Sequence, residues 1–122
     1  MTVAEIKHMV MYQTNNDADD LGDFMPHLLH YINEGYDLLV EAYQCSHLEP
    51  AQLLTKDIDT PALPEWMHRA LADYATWMVY RNGNPQKQQR GYVFRNAFES
   101  VRYSASENRD GARAEHFINI PR

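Results

Sequence analysis

Pro64-Glu65-Trp66-Met67-His68-Arg69-Ala70-Leu71-Ala72-Asp73-Tyr74-Ala75-Thr76-Trp77-Met78-Val79-Tyr80-Arg81-Asn82-Gly83-Asn84-Pro85 is the stretch on which the fold turns. Pro64 is tolerated in a first turn, where amides lack an intrahelical partner. Glu65 suits the positive end of the helix dipole. Met67, Ala70, Leu71, Tyr74, Trp77 and Met78 recur at helical spacing and make one apolar face. Arg81 falls in the last turn, where a cation is favoured. The residues after it stop one helix and start another. Gly83 suits a left-handed C′ position, Asn84 the next N-cap, and Pro85 the first helical position. A tight αα-hairpin follows. Its second arm turns Phe94, Ala97, Phe98 and Val101 inward, with Lys87, Arg90, Arg95 and Arg102 mostly outward.

Upstream, a helix starts near Phe24 to Pro26 and carries a wide apolar stripe of Leu28, Leu29, Ile32, Tyr36, Leu39 and Tyr43. Gly35 lies inside it at a cost of about 1 kcal/mol relative to Ala, which a closely approaching helix would explain. At the start of the chain, Thr2-Val3-Ala4-Glu5 fits a capping box. Val3, Ile6, Val10 and Gln13 follow at helical spacing, and Asn15-Asn16-Asp17 ends that helix. Residues 45–63 are the least regular, with Pro50 and Pro61. A connection this long is usually functional or ordered by a partner. After Tyr103 the pattern stops. Ser104 to Gly111 is polar and turn-rich, and Phe117-Ile118-Asn119-Ile120 alternates like an extended segment that is either frayed or pairs with something, such as a neighbouring subunit. The expected fold is all-α: a small bundle of about four helices with an αα-hairpin, a long irregular loop and an extended C-terminal arm. Residues 1–103 form the helical body and 104–122 the arm.

Composition narrows the function. The 122 residues are enough for one domain, and 44% hydrophobic with 23% charged residues describes a globular chain. Net charge is −6, which argues against coating nucleic acid, a task that rests on clustered Lys and Arg. The charge is uneven. Residues 1–60 hold two bases against eleven acids, and residues 61–122 hold nine bases against six acids. Opposite halves of this kind suit head-to-tail contacts between copies, besides serving as solvated helix faces. Met1 to Glu5 lacks the basic and apolar regions of a signal peptide, and no run of about 18 apolar residues exists, so no membrane span is expected.

Chemistry-bearing motifs are scarce. A calcium loop starting at Asp17 would place Asp19 and Gly22 correctly, but Leu21 and Leu28 stand where ligands are needed. His27 and His30 share a helix without a third ligand at fitting spacing, so no metal or cofactor is expected there. Cys45, the single cysteine, forms no internal disulfide, and Cys45-Ser46-His47 has no identifiable orienting group for an activated thiol. There is no Gly-rich phosphate loop, no nucleophile elbow and no carboxylate pair with an assignable role. Enzymatic activity is therefore not expected, and the catalytic set is empty.

The acidic lead into Phe24-Met25-Pro26, then Tyr31-Ile32-Asn33-Glu34-Gly35-Tyr36-Asp37-Leu38-Leu39, the helix Ala70 to Arg81, and finally Phe94-Arg95-Asn96-Ala97-Phe98 resemble head-to-tail connector (adaptor) proteins of tailed bacteriophages. The likeness spans roughly residues 2–103. It implies a structural virion protein of the neck, assembled in the host cytoplasm. Such a protein forms a closed homo-oligomeric ring of roughly twelve copies below the portal protein. The ring extends the channel, passes genome DNA as cargo and docks tail or stopper proteins. One departure is that the segment joining the second and third helices is short for a chain that inserts a long loop into the channel. The candidate interface comprises Phe117, Ile118 and Ile120 of the arm, Arg90, Arg95 and Arg102 of the basic helix, and Asp19, Asp20 and Asp23 of the acidic stretch. The alternative is a small helical protein-binding or regulatory module acting as a monomer or dimer.

Overall fold

The computed structural model describes residues 1–14, 24–43, 53–81 and 83–118, with the backbone alone from 108 onward. Among these the chain is all-α. The helices are α1 (Val3–Gln13), α2 (Leu28–Tyr43), α3 (His68–Arg81) and α4 (Pro85–Ile118), with short 3-10 turns at Met25–His27 and Glu65–Met67 leading into α2 and α3. Helix α3 is the axis of the bundle. Eleven of its 14 residues are buried, and α1, α2 and α4 all pack on it. Ala70, Ala72 and Ala75 keep its surface low, so the larger side chains of its neighbours reach in. Helix α1 supplies Val3, Ile6 and Val10, α2 supplies Leu28, Ile32, Tyr36 and Leu39, and α4 supplies Phe98 and Ala105.

Helix α1 runs alongside α3 in the same direction. Met1 lies at the start of α3, its amine donating to Glu65 Oε1 and His68 Nδ1, and Gln13 reaches Asp73 and Thr76 further along. The capping box is present: Glu5 N–H donates to Thr2 Oγ1 and Thr2 N–H to Glu5 Oε1. Two more orphan donors of the first turn are met from far away in sequence. Val3 N–H donates to Asp59 O at 2.9 Å and Ala4 N–H to Asp57 O at 3.0 Å.

Those carbonyls belong to the irregular stretch 45–63, for which the expectation is a functional role or partial ordering by a partner. Residues 53–64 are instead tied down by the chain itself. Asp59 Oδ2 accepts from the backbone N–H groups of Thr55 and Lys56, closing a local turn. Tyr36 OH accepts from Ala62 N–H, and His68 Nε2 donates to Leu63 O. The buried Asn33 side chain accepts from Leu54 N–H at 2.9 Å and donates to Leu54 O at 3.0 Å. Residues 44–52 lie outside the described residues.

Gly35 has the close approach its position implied: a Cβ there would stand 3.1 Å from three side-chain atoms of Tyr74. At the hairpin corner Asn84 caps α4, its Oδ1 accepting from Lys87 N–H at 3.0 Å, and Pro85 is the first helical residue. Gly83 departs from expectation. Its backbone is not left-handed; a Cβ there would meet Lys87 Cβ at 2.7 Å, so space excludes larger residues. Helix α4 buries Gly91, Phe98 and Ala105, a seven-residue spacing, while Ala97 is exposed rather than inward.

The C-terminal arm is the main correction. No extended segment begins at Ser104, because α4 continues unbroken to Ile118. Ala105, Glu107, Arg109, Ala112, Arg113, Ala114 and Glu115 are good helix formers, and lengthening an existing helix needs no new nucleus. Gly111 costs about 1 kcal/mol and does not break it. Asn119 to Arg122 lie outside the described residues.

Two substitutions test this packing. Asn33→Ala strands the buried N–H and C=O of Leu54, which is expected to cost about 2–3 kcal/mol and to lower the urea midpoint without changing the slope. Gly35→Ala gains about 1 kcal/mol of helix propensity. It also forces a methyl against Tyr74 atoms close to that residue's own backbone, an overpacking cost of about 1–3 kcal/mol. The expected net result is a lower thermal midpoint in calorimetry.

Candidate functional site

With Gly91, Phe98 and Ala105 turned inward, helical geometry points Gln89, Tyr92, Val93, Asn96, Ser100 and Tyr103 outward. All six are exposed, and none is charged. Tyr92 is 49% exposed, Val93 66% and Tyr103 66%. An uncharged strip with aromatic side chains, four turns long, differs from an ordinary solvated helix face. It has the makeup of an interface centre, where charge is depleted and Tyr enriched.

The arginines named from sequence edge this strip. Arg90 lies on one side and Arg95 and Arg102 on the other, two turns apart. Packing positions Arg95: its guanidinium lies over the Trp77 ring, 5.7 Å from the centroid. Trp77 meets Tyr74 edge-on at 5.6 Å, and Tyr74 leans on buried Phe98 at 5.0 Å. A continuous aromatic chain thus links the core to the surface cation. Arg102 pairs with Glu99 at 3.7 Å. From Tyr74 to Phe98 the chain contains no Asp or Glu but four cations, Arg81, Lys87, Arg90 and Arg95. The hairpin is therefore locally basic in an acidic protein.

Two hollows adjoin α4. One of about 130 Å³ is lined by Trp77, Arg81, Gln88 and Tyr92. A more open one of about 340 Å³ lies between α2 and α4, lined by Glu41, Ala42, Glu99, Arg102, Tyr103 and Ser106. The first offers no nucleophile; the second gathers Ser106 with Glu41 and Glu99, without a hydrogen bond from Ser106 to either among the described residues. Among the described residues no group of three or more His, Cys, Asp or Glu could hold a metal ion. His30 instead meets Glu34 at 2.7 Å, and His27 contacts the Tyr31 ring.

The remaining sequence-named residues are not gathered here. Phe117 and Ile118 lie in the last turn of α4, described as backbone alone. Ile120, Asp19, Asp20, Asp23 and the Cys45-Ser46-His47 stretch fall outside the described residues. Sequence reading missed Tyr92, Val93 and Tyr103 as surface features. The available signal was the run of outward positions lacking charge, which only the correct inward register of α4 makes visible.

Two titratable groups of α3, Tyr74 and Asp73, are hydrogen-bonded to neighbouring helices. Tyr74 donates to Glu34 Oε2 at 2.9 Å; burial, reinforced by that carboxylate, pushes its phenol up to about 12. Asp73 is only 7% exposed. Burial raises its carboxyl above the usual range, partly offset by the N–H it accepts from Gln13 at 2.8 Å. Gln13 in turn accepts from Thr76 Oγ1. Comparison with protein-family models, curated proteins and solved structures finds no match.

Asp73 makes a pH prediction. A carboxyl raised in the folded state favours folding fully below its unfolded pKa and loses that contribution as pH rises through the folded value. Near neutrality its buried charge is therefore unfavourable. Asp73→Asn keeps an acceptor for Gln13 and cannot ionise. Its urea midpoint is expected to exceed wild type at pH 7, with the gap closing as the pH falls toward about 4, the ordinary aspartate range.

Proposed function

We propose that this chain is a structural adaptor of a phage neck, which assembles into a ring below the portal, extends the DNA channel and docks the tail. The observation that carries this reading is α4. It is 34 residues long, about 51 Å, against 14 residues and about 21 Å for the α3 it packs on. From Gln89 to Tyr103, about four turns, its outward strip is exposed and uncharged and carries Tyr92, Val93 and Tyr103. A small bundle that presents so long a helix with an exposed, uncharged strip bearing two tyrosines and a valine is suited to binding protein. The resemblance of residues 2–103 to phage connectors names the setting, and the acidic net charge suits a conduit that must not grip passing DNA. No described helix is long and apolar enough to cross a membrane.

The test is reconstitution with the portal protein of the same phage. Native mass spectrometry and negative-stain imaging are expected to find a symmetric annulus of this chain on one end of the portal, with one copy per portal subunit. A protein that stays monomeric or dimeric and leaves the portal bare overturns the reading and favours a small binding module.

A further inference from the structure

His68 is the first residue of α3 and only 2% exposed, and both of its ring nitrogens are engaged. Nε2 lies 2.7 Å from Leu63 O. A carbonyl oxygen only accepts, so Nε2 carries the proton. Nδ1 is then the bare nitrogen of a neutral ring, and the Met1 amine donates to it at 2.7 Å. The same amine donates to Glu65 Oε1 at 2.8 Å, and Glu65 Oε2 stands 3.4 Å from Nδ1. The hydrogen bond from the amine, with His68 close by, holds the Glu65 carboxyl below the usual range, so it stays ionised. Glu5 of α1 brings a second negative charge within electrostatic reach of the amine and of Glu65. Among the described residues no hydrogen bond or ion pair joins His68 to α2 or α4.

This arrangement suits one protonation state of the ring. A second proton would sit on Nδ1 and point at the Met1 N–H, leaving two donors facing each other across 2.7 Å. It would also put a positive charge at the N-terminal end of α3, where the helix dipole opposes cations. Glu65 Oε2 is the acceptor at hand. Its 3.4 Å separation is longer than a good hydrogen bond, but the side chain is 75% exposed and free to turn toward the ring. Doing so takes from Met1 the second of its two partners. An N–H on the Met1 nitrogen is all that the neutral contact requires, and an ammonium and a peptide nitrogen both carry one. Further along, α1 keeps its capping box and the carbonyls of Asp57 and Asp59. Loss of the His68 contact therefore frees Met1 and Thr2 without unwinding the helix.

We propose that His68 is a proton-operated latch. Neutral, it clasps Met1 against the start of α3; protonated, it exchanges Met1 for Glu65 and lets Met1 and Thr2 go. Histidine is the side chain whose charge ordinarily changes between about pH 5 and 8, so mild acid is the signal. The latch operates within one molecule and is independent of the ring reading above.

Nuclear magnetic resonance on the wild-type protein tests it. At about pH 8 the imidazole nitrogen shifts of His68 are expected to show a protonated Nε2 and a bare Nδ1, and at about pH 5 a proton on both. Over the same range the order parameter of the Thr2 amide is expected to fall from about 0.85 to below about 0.6. A proton on Nδ1 in place of Nε2 at the higher pH, or a Thr2 amide equally ordered at both, overturns the latch. His68→Gln supplies the control. Glutamine keeps a donor for Leu63 O and an acceptor for Met1 but takes up no proton. Its Thr2 amide is expected to have the same order at both pH values. A fall as large as in wild type would assign the release to another group, such as Glu5 or His8 of α1, and overturn the latch. The nitrogen shifts and the Thr2 amide of the wild-type protein decide the matter even if the variant does not fold.

Discussion

The burial of α3 on nearly its whole circumference governs the rest of the structure. A helix enclosed by three others must have small residues where backbones approach and partners for every polar atom it carries inward. The alanines meet the first demand from α3 itself, and Gly35 meets it from α2 by letting Tyr74 lie against the backbone. The second demand explains the polar contacts. Thr76 and Asp73 are joined to Gln13, His68 is held between Leu63 O and the Met1 amine, and Tyr74 ends on Glu34. Each of these bonds ties a different element to the same axis, so orientation within the bundle is specified by polar pairs on an apolar background.

Much of this architecture was legible because local signals agreed with the global fold. The Thr2–Glu5 box, Asn84 and Pro85 mark helix ends by satisfying or lacking backbone donors, chemistry that neighbouring structure rarely overrides. The apolar periods identified most buried residues of α1 and α2, but for α3 they gave one face of a helix that is buried nearly all round. Failures came where weak local preference met tertiary context. Ser104 to Gly111 reads as a turn by residue type, yet a helix arriving from Pro85 extends through it at little cost. Ala97 reads as inward because alanine is indifferent to burial, and Gly91, with no side chain to register as apolar, was overlooked as the packing residue. The segment from Leu53 to Pro64 gave no periodic signal, because its order comes from single hydrogen bonds to Asn33, Tyr36, Val3 and Ala4. The candidate site was half legible. The arginines could be named from composition, but the uncharged strip between them required the rotation of α4.

The surface is organised by the same asymmetry as the sequence. Bases concentrate from Arg81 onward, and most acids precede residue 60. Helix α4 nonetheless carries Glu99, Glu107, Asp110 and Glu115 among its bases, with Glu99 paired to Arg102. Long side chains such as Arg95 do not simply extend into water, since its guanidinium lies over Trp77. A cation held this way has lost part of its rotamer freedom before any partner arrives, which lowers the ordering cost of a contact made there.

The capping of α1 by Asp57 and Asp59 carries a kinetic consequence. The α3–α4 hairpin closes across three residues, so it can form early and fast. Helix α1 is made first on the ribosome but takes its end contacts from carbonyls more than fifty positions downstream. At 11 residues it is too short to persist alone in water. Its first-turn N–H groups are therefore met only once that later segment is in place, and slow amide exchange at Val3 and Ala4 marks such molecules.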